Sequence, residues 1–322
     1  MFGTTTLFRD RRRLAAQLPT DSPALHYIEP KDLNGYRPIL VCETDLQAVP
    51  VYGFRLPPGQ SGALVVGNER HGVAHELRQM ADHTVGIPLH STRLTSLNVA
   101  ASAAVALYHI GNPLSSSRQA QRGLERLRPE LLLLGATNHF ELGSTLRSAA
   151  AFGWAQVLVD DRAGVWFGVE RGMRAEGRAA ARRARNAIRL HRSAPSDRYA
   201  FNEVVVVTAS GTGVPLQRVR LTGGTSQLLV VADESVGNVE PDGWERLGKR
   251  VTLATLDLPS LTQHYRYRLA ASIALSEVAR QLGHSTGVRP AAPRRGLRYT
   301  SAVDIDSPEP AELVTAAELA EY

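Results

Sequence analysis

The chain has 322 residues, 43% of them hydrophobic, a formal charge of +6 and a single cysteine, Cys42. That length holds one large domain or two of ordinary size, and one cysteine excludes an internal disulfide framework and any multi-cysteine metal site while fitting a reducing cytoplasm. No apolar run approaches the roughly 18–20 residues of a membrane span, and the arginine-rich balance favours a polyanionic partner without naming one.

In chain order, the N-terminus places Arg9, Arg11, Arg12 and Arg13 after its few apolar residues, the reverse of a secretory signal. Ile39–Cys42 and Ala63–Val66 are short apolar runs ended by polar or glycine residues, which predict buried strands of a parallel sheet. The second run leads directly into Gly67-Asn68-Glu69-Arg70-His71-Gly72. A glycine at the carboxyl end of a strand lets a ligand approach the backbone, as in the crevice of an open α/β sheet. A strand over 83–89 contains Ile87-Pro88, and Ser96-Leu97-Asn98-Val99-Ala100 then opens an Ala-rich helix. Ser96 is the predicted N-cap, and free N–H groups there suit a polar or anionic ligand. Each piece alone is equally ordinary strand-turn or helix-cap chemistry.

Residues 111–128 read as a linker entering a basic helix. Strands over 131–134 and Gln156–Asp160 flank a helix over 142–152, preceded by Asn138-x-x-Glu141 with capping-box spacing. Arg171, Arg174, Arg178, Arg182, Arg185, Arg189 and Arg192 follow at spacings of three or four, which predicts one basic stripe along a helix. Like charges packed this way destabilise a helix unless an anion relieves them, so the stripe points to a polyanion such as RNA phosphate. A solvated charged face is the plainer alternative. Residues 284–322, rich in Pro, Ala and Arg and then acidic, read as a mostly disordered tail.

Much of this order occurs twice. Laying 36–72 over 201–237 without a gap gives 12 identities in 37 positions, among them Val49, Pro50, Val65, Val66, Glu69 and Gly72. Chance at average composition gives roughly two. The pattern continues with Ala-Ala-Ser at 100–102 and again at 270–272. About 35 residues, 129–165, have no counterpart in the first copy, which begins part-way through the unit. The division expected is therefore a shortened first domain over 1–112, a linker over 113–128, a second domain over 129–283 and the tail.

Gly-Asn-Glu-Arg-His-Gly, then Ile-Pro, then Ser-Leu-Asn-Val before an Ala-rich helix resembles motifs two and three of the SpoU/TrmH family of SPOUT methyltransferases. The family's first motif is absent from the first copy and resembles Glu141 to Gly153 in the second, with Arg147 at the arginine position. The resemblance implies an α/β fold of two tandem parallel-sheet units with a trefoil knot. It also implies S-adenosyl-L-methionine as cofactor and an RNA ribose 2′-hydroxyl, in rRNA or tRNA, as methyl acceptor. On that match Gly67, Ile87 and Leu97, with Val66, Pro88 and Thr44 beside them, line the cofactor pocket. Arg147, Glu69, Ser96 and Asn98 take the catalytic end. The family asparagine falls on Glu141, with Asn138 three residues earlier; both are candidate catalytic residues or simply a helix cap.

The second copy departs from the first where chemistry is expected: Gly67 becomes Ala232, and Ser96-Leu97-Asn98 becomes Arg266-Tyr267-Arg268, while Glu69 is kept as Glu234. The two copies thus read as a monomeric pseudo-dimer with one composite site. Methylation of a small nucleoside-like molecule, and a non-catalytic RNA-binding relative, are the alternatives.

Overall fold

The computed structural model describes residues 6–8, 25–27, 29–44, 48–57, 59–68, 72–91, 94, 96–112, 127–135, 138–161, 164–168, 171–182, 186–193, 201–208, 213–232, 250–256, 267–283 and 302–304. The chain divides into a first compact unit, residues 1–87 with 106–113, and a second, residues 88–105 with 114–322. The division differs from the sequence expectation of a break between 112 and 129. Residues 88–105 group with the second unit, and the boundary passes through helix α2 (Val99–Gly111).

In the first unit, β1 (Thr6–Phe8) and β2 (Leu25–Tyr27) pair in parallel as a two-stranded sheet. A four-stranded parallel sheet follows, built from β3 (Ile39–Cys42), β4 (Val49–Pro50), β5 (Ala63–Val66) and β6 (His83–Gly86) in the order β4-β6-β3-β5. A short helix, α1 (His75–Gln79), joins β5 to β6. The aliphatic run of β3 is buried because it is central, whereas β5 is half-buried throughout, as suits an edge strand. Leu40, Val51 and Val85 form the core with Ala106 and Ile110 of α2, four residues apart on one helical face. Asp82 fastens the start of this sheet: it accepts the Ile39 N–H at 2.7 Å, and its own N–H donates to the Ile39 carbonyl at 2.9 Å.

The second unit carries β7 (Glu130–Leu134), α3 (His139–Ala151), β8 (Gln156–Asp160), α4 (Arg171–Ala180), β9 (Arg189–Arg192), β10 (Glu203–Thr208), β11 (Val214–Pro215), β12 (Gln227–Ala232), β13 (Val251–Thr255), α5 (Tyr267–Leu282) and β14 (Ala302–Asp304). Its eight-stranded sheet runs β11-β13-β10-β12-β7-β8-β9-β14, parallel except where β14 pairs antiparallel with β9. Leu132, Leu158, Val204, Val206, Leu228 and Val230 form its apolar core with Phe201. Helices α3 and α4 cross closely because glycines meet: a Cβ on Gly143 would lie 2.1 Å from the Gly177 carbonyl oxygen.

The sequence repeat reappears as topology. The order β4-β6-β3-β5 of the first unit is matched by β11-β13-β10-β12 in the second. Register is kept too: Ile39 faces Ala63 as Val204 faces Leu228, each partner lying 165 residues further on. The edge strand Ala302–Asp304 falls inside the segment read as a disordered tail; the rest of 284–322 lies outside the described residues.

Candidate functional site

In the first unit, β3, β5 and β6 end level, with Cys42 opposite Val66 on one side and Val85 on the other. Thr44, Gly67 and Ile87 therefore follow the carboxyl edge of one parallel sheet, the edge at which open α/β sheets bind ligands. The loop after β5 closes on itself: Asn68 and Gly72 exchange N–H···O bonds of 2.9 Å each, and Gly72 adopts φ +66°. Glu43 holds the loop's far side, accepting from the Val73 N–H at 3.1 Å and from Arg78 at 2.9 Å. The sequence did not single out Glu43; its only signal is a carboxylate just past a strand end.

Gly67 is required, but for a reason other than the one expected. A Cβ there would lie 2.4 Å from the Gly72 carbonyl carbon and 2.6 Å from the Val73 nitrogen. The close approach is made by the loop's own backbone, so the glycine shapes the loop. Val66 is half-buried at the end of β5, and Ile87 packs against the unit's core. Thr44 is exposed, Pro88 is half-buried, and Glu69 lies outside the described residues. Burial and the neighbouring Glu43 push the Cys42 thiol up to about 11, so it is no thiolate at neutral pH.

In the second unit, the segment after Pro88 is pinned to the end of α3. The His90 N–H donates to the Ala151 carbonyl at 2.8 Å, and Arg128 reaches His90 Nδ1 at 3.1 Å, the Phe152 carbonyl at 2.9 Å and the Gly283 carbonyl at 3.1 Å. Arg128 is a positioning residue that sequence reading missed, since nothing in its surroundings marks it. The segment then meets Arg147. From α3, Arg147 donates through Nε to the Ser96 carbonyl at 3.0 Å, and through Nη2 to the Ser96 hydroxyl at 3.0 Å and the Leu97 carbonyl at 2.7 Å. Arg147 is 4% exposed and Leu97 6%, while Ser96 is exposed. A rigid guanidinium fork can serve several acceptors at once, which a lysine ammonium cannot do in the same plane.

Ser96 is not the helix cap. Asn98 is: its Oδ1 accepts the Ala100 N–H at 3.0 Å and its carbonyl accepts from Ser102 at 2.8 Å. Asn138 caps α3 in the same way, accepting from Phe140 and Glu141 at 2.8 and 3.2 Å. Glu141 does not close a capping box. Its carboxylate accepts from Arg268, at the backbone N–H (3.1 Å) and at the guanidinium.

The basic stripe is broken. Helix α4 ends at Ala180, Arg182 has φ +56°, and Arg189 and Arg192 lie on strand β9. Arg178 is buried at 4%, with Gly177 against α3 beside it, so that face of α4 serves the core. Arg182 and Arg189 are exposed, Arg185 is outside the described residues, and Arg171 and Arg174 are placed by backbone alone. Period-3.6 spacing led to one long helix because no glycine or proline marks the stop at 180–188.

Among proteins of known sequence, the SpoU rRNA Methylase family matches residues 26–108. The 23S rRNA (guanosine(2553)-2′-O)-methyltransferase RlmP of Bacillus subtilis (strain 168) is 38% identical over 82 residues, which are 23% of this chain and 33% of that protein. The chain thus spans about a third of the curated relative it matches. Two solved structures are also similar. The SpoU methyltransferase AviRb of Streptomyces viridochromogenes has a TM-score of 0.36 and 14% identity over 50% of this chain and 62% of that one. The AdoMet-bound rRNA methyltransferase of Sinorhizobium meliloti has a TM-score of 0.38 and 18% identity over 52% and 60%. The matched segment contains Gly67, Ile87, Ser96, Leu97 and Asn98; Arg147 lies beyond it, in the second copy. Among the described residues no helix is long and apolar enough to cross a membrane.

Proposed function

We propose that the chain transfers a methyl group from S-adenosyl-L-methionine to a ribose 2′-hydroxyl of rRNA or tRNA. The observation that supports this most is the seat of Arg147 on Ser96 and Leu97. An arginine of the second copy is hydrogen-bonded to the third motif of the matched segment. Arg147, Ser96 and Leu97 belong to one compact unit, and their contact supports the reading of a composite site.

The residues at the carboxyl edge of the first sheet fit the cofactor: backbone groups past β5 and β6, next to a loop whose shape Gly67 and Glu43 fix, suit a polar small molecule. Val66, Gly67 and Ile87 are the residues of this edge assigned to hold it. When bound, the cofactor supplies a sulfonium-activated methyl for displacement by oxygen. The protein's task is orientation and charge. Arg147 cannot act as a base, because a guanidinium stays protonated. Its positive charge instead favours the oxyanion that develops as the hydroxyl loses its proton to solvent, or holds a flanking phosphate. Ser96, exposed and oriented by Arg147, presents a hydroxyl to the acceptor sugar.

The second copy keeps Val66 as Val231 but has Ala232 for Gly67 and Tyr267-Arg268 for Leu97-Asn98. We infer one cofactor per chain and a monomeric pseudo-dimer. Titration calorimetry with S-adenosylhomocysteine, together with methyl incorporation into RNA, tests the reading. One site per chain and labelled RNA are expected; two equivalent sites contradict the pseudo-dimer, and unlabelled RNA contradicts the activity.

A further inference from the structure

Tyr267 and Arg268, which replace Leu97 and Asn98 in the second copy, open helix α5 and contact their own unit. Tyr267 is buried and its hydroxyl donates to the Val231 carbonyl at 3.3 Å; Val231 is the repeat counterpart of Val66. Arg268, the counterpart of Asn98, gives both its backbone N–H and its guanidinium to Glu141, and the guanidinium lies 5.3 Å from the centre of the Phe140 ring. One turn on, Ser272 donates to the Arg268 carbonyl at 2.6 Å, and its hydroxyl lies 2.8 Å from that of Ser148.

These contacts fall on one helix. Glu141 and Ser148 are seven residues apart, two turns of α3, and so share the face turned to α5. Arg147 is the residue beside Ser148. Helix α3 is therefore tied to the first turn of α5 on one face and, through Arg147, to Ser96 and Leu97 on another. Both carboxylate oxygens of Glu141 are engaged by Arg268, which leaves it poorly suited to take a proton from substrate.

We propose that Arg268 and Glu141 are positioning residues for Arg147, and that the degenerate turn of the second copy braces the arginine helix. The proposal rests on the methyl-transfer reading above. The pair is well shielded, with side-chain exposures of 19% for Arg268 and 12% for Glu141. Removing the guanidinium leaves a carboxylate unpaired at the α3–α5 contact, and the first turn of α3 must shift or hydrate to relieve it. A displacement of about 1 Å at a positioned catalytic group is enough to cost on the order of 100-fold in rate.

The test uses the full chain with S-adenosylmethionine and RNA, comparing Arg268→Ala, Arg268→Lys and Glu141→Gln with the parent. Arg268→Ala is expected to lower kcat about 10- to 100-fold while cofactor affinity stays within about twofold. Arg268→Lys recovers much of the loss, since it keeps the charge. In nitrogen-15 spectra the Arg147 Nε–H, protected by the Ser96 carbonyl in the parent, exchanges faster in Arg268→Ala. Unchanged kcat and unchanged Arg147 exchange overturn the brace. So does a loss of folded protein and of cofactor affinity together that Arg268→Lys fails to restore. Should Arg268→Ala not fold, Arg268→Lys and Glu141→Gln carry the same comparison. A parent chain that transfers no methyl group overturns the functional reading itself, and is told apart by that baseline.

Discussion

Arg147 grips Ser96 twice, with Nε on its carbonyl and Nη2 on its hydroxyl, both at 3.0 Å, across 51 residues of sequence. A buried guanidinium in this fork holds the segment before α2 against α3 and orients the exposed Ser96 hydroxyl. Arg147→Ala removes three hydrogen bonds, those to the Ser96 carbonyl, the Ser96 hydroxyl and the Leu97 carbonyl. It is expected to cost about 1–3 kcal/mol in urea unfolding and at least about 100-fold in turnover. Arg147→Lys should keep more of the stability than of the rate, because charge survives and the fork does not. Equal turnover in all three proteins would remove Arg147 from the mechanism.

The α3–α4 crossing gives a purely structural prediction. A methyl group at Gly143 meets the Gly177 carbonyl oxygen at 2.1 Å, with backbone on both sides and no flexible side chain to yield. Gly143→Ala should destabilise the second unit by about 1–3 kcal/mol or more. Gly35→Ala, where a Cβ meets nothing within 4 Å, should change the denaturation midpoint little. Similar midpoints for the two variants would mean that the crossing is looser than described.

The arginines of 171–192 should now behave as two classes. Arg178→Ala removes a buried side chain and is expected to lower stability. Arg182→Ala and Arg189→Ala act on exposed groups and should leave the melting temperature nearly unchanged. If these two touch RNA phosphate, each should weaken binding and reduce the slope of log affinity against log salt by about 1. Filter binding between low and moderate salt separates the classes, and unaltered slopes would place RNA elsewhere on the protein.

Asp161 offers a pH test. Burial raises its carboxyl above the usual aspartate value, and the N–H groups of Phe167 and Trp166 and the charge of Arg192 only partly offset this. The folded state therefore binds the proton more tightly than the unfolded chain does. Its favourable contribution is present below the unfolded pKa and is lost as pH rises through the folded value. Asp161→Asn keeps an oxygen to accept the Phe167 N–H but carries no charge to desolvate. Its stability relative to the parent should be greatest at neutral pH and fall toward acid. Urea midpoints at pH 7.5 and pH 4 check this; a variant that loses most at neutral pH contradicts it.

What was legible in the sequence was local or repeated. The apolar runs Ile39–Cys42, Ala63–Val66 and their copies are strands, and the repeat carries the same strand order and register. Asn138 caps its helix, as its capping-box spacing to Glu141 offered, although Glu141 pairs with Arg268 and does not close the box. Long-range matters were not legible. Ser96 has the chemistry of a cap, but Asn98, two residues later, takes the N–H, because Arg147 from the second copy occupies the serine. Gly67 was read as the place where a ligand nears the backbone, yet sequence cannot say whether ligand or loop comes close; here Gly72 and Val73 do. The arginine spacing was compatible with one helix, and only the packing of Gly177 and Arg178 and the strand pairing of 189–192 divide it.

The most direct measurement is the chemical identity of the product. The full chain is incubated with S-adenosylmethionine and ribosomal or transfer RNA from cells lacking the gene, and the RNA is digested to nucleosides for mass spectrometry. A 2′-O-methylnucleoside at a defined position is expected, formed by the parent chain and lost in Arg147→Ala. A methyl group on a base, or no methylation of either RNA by the folded chain, would contradict it.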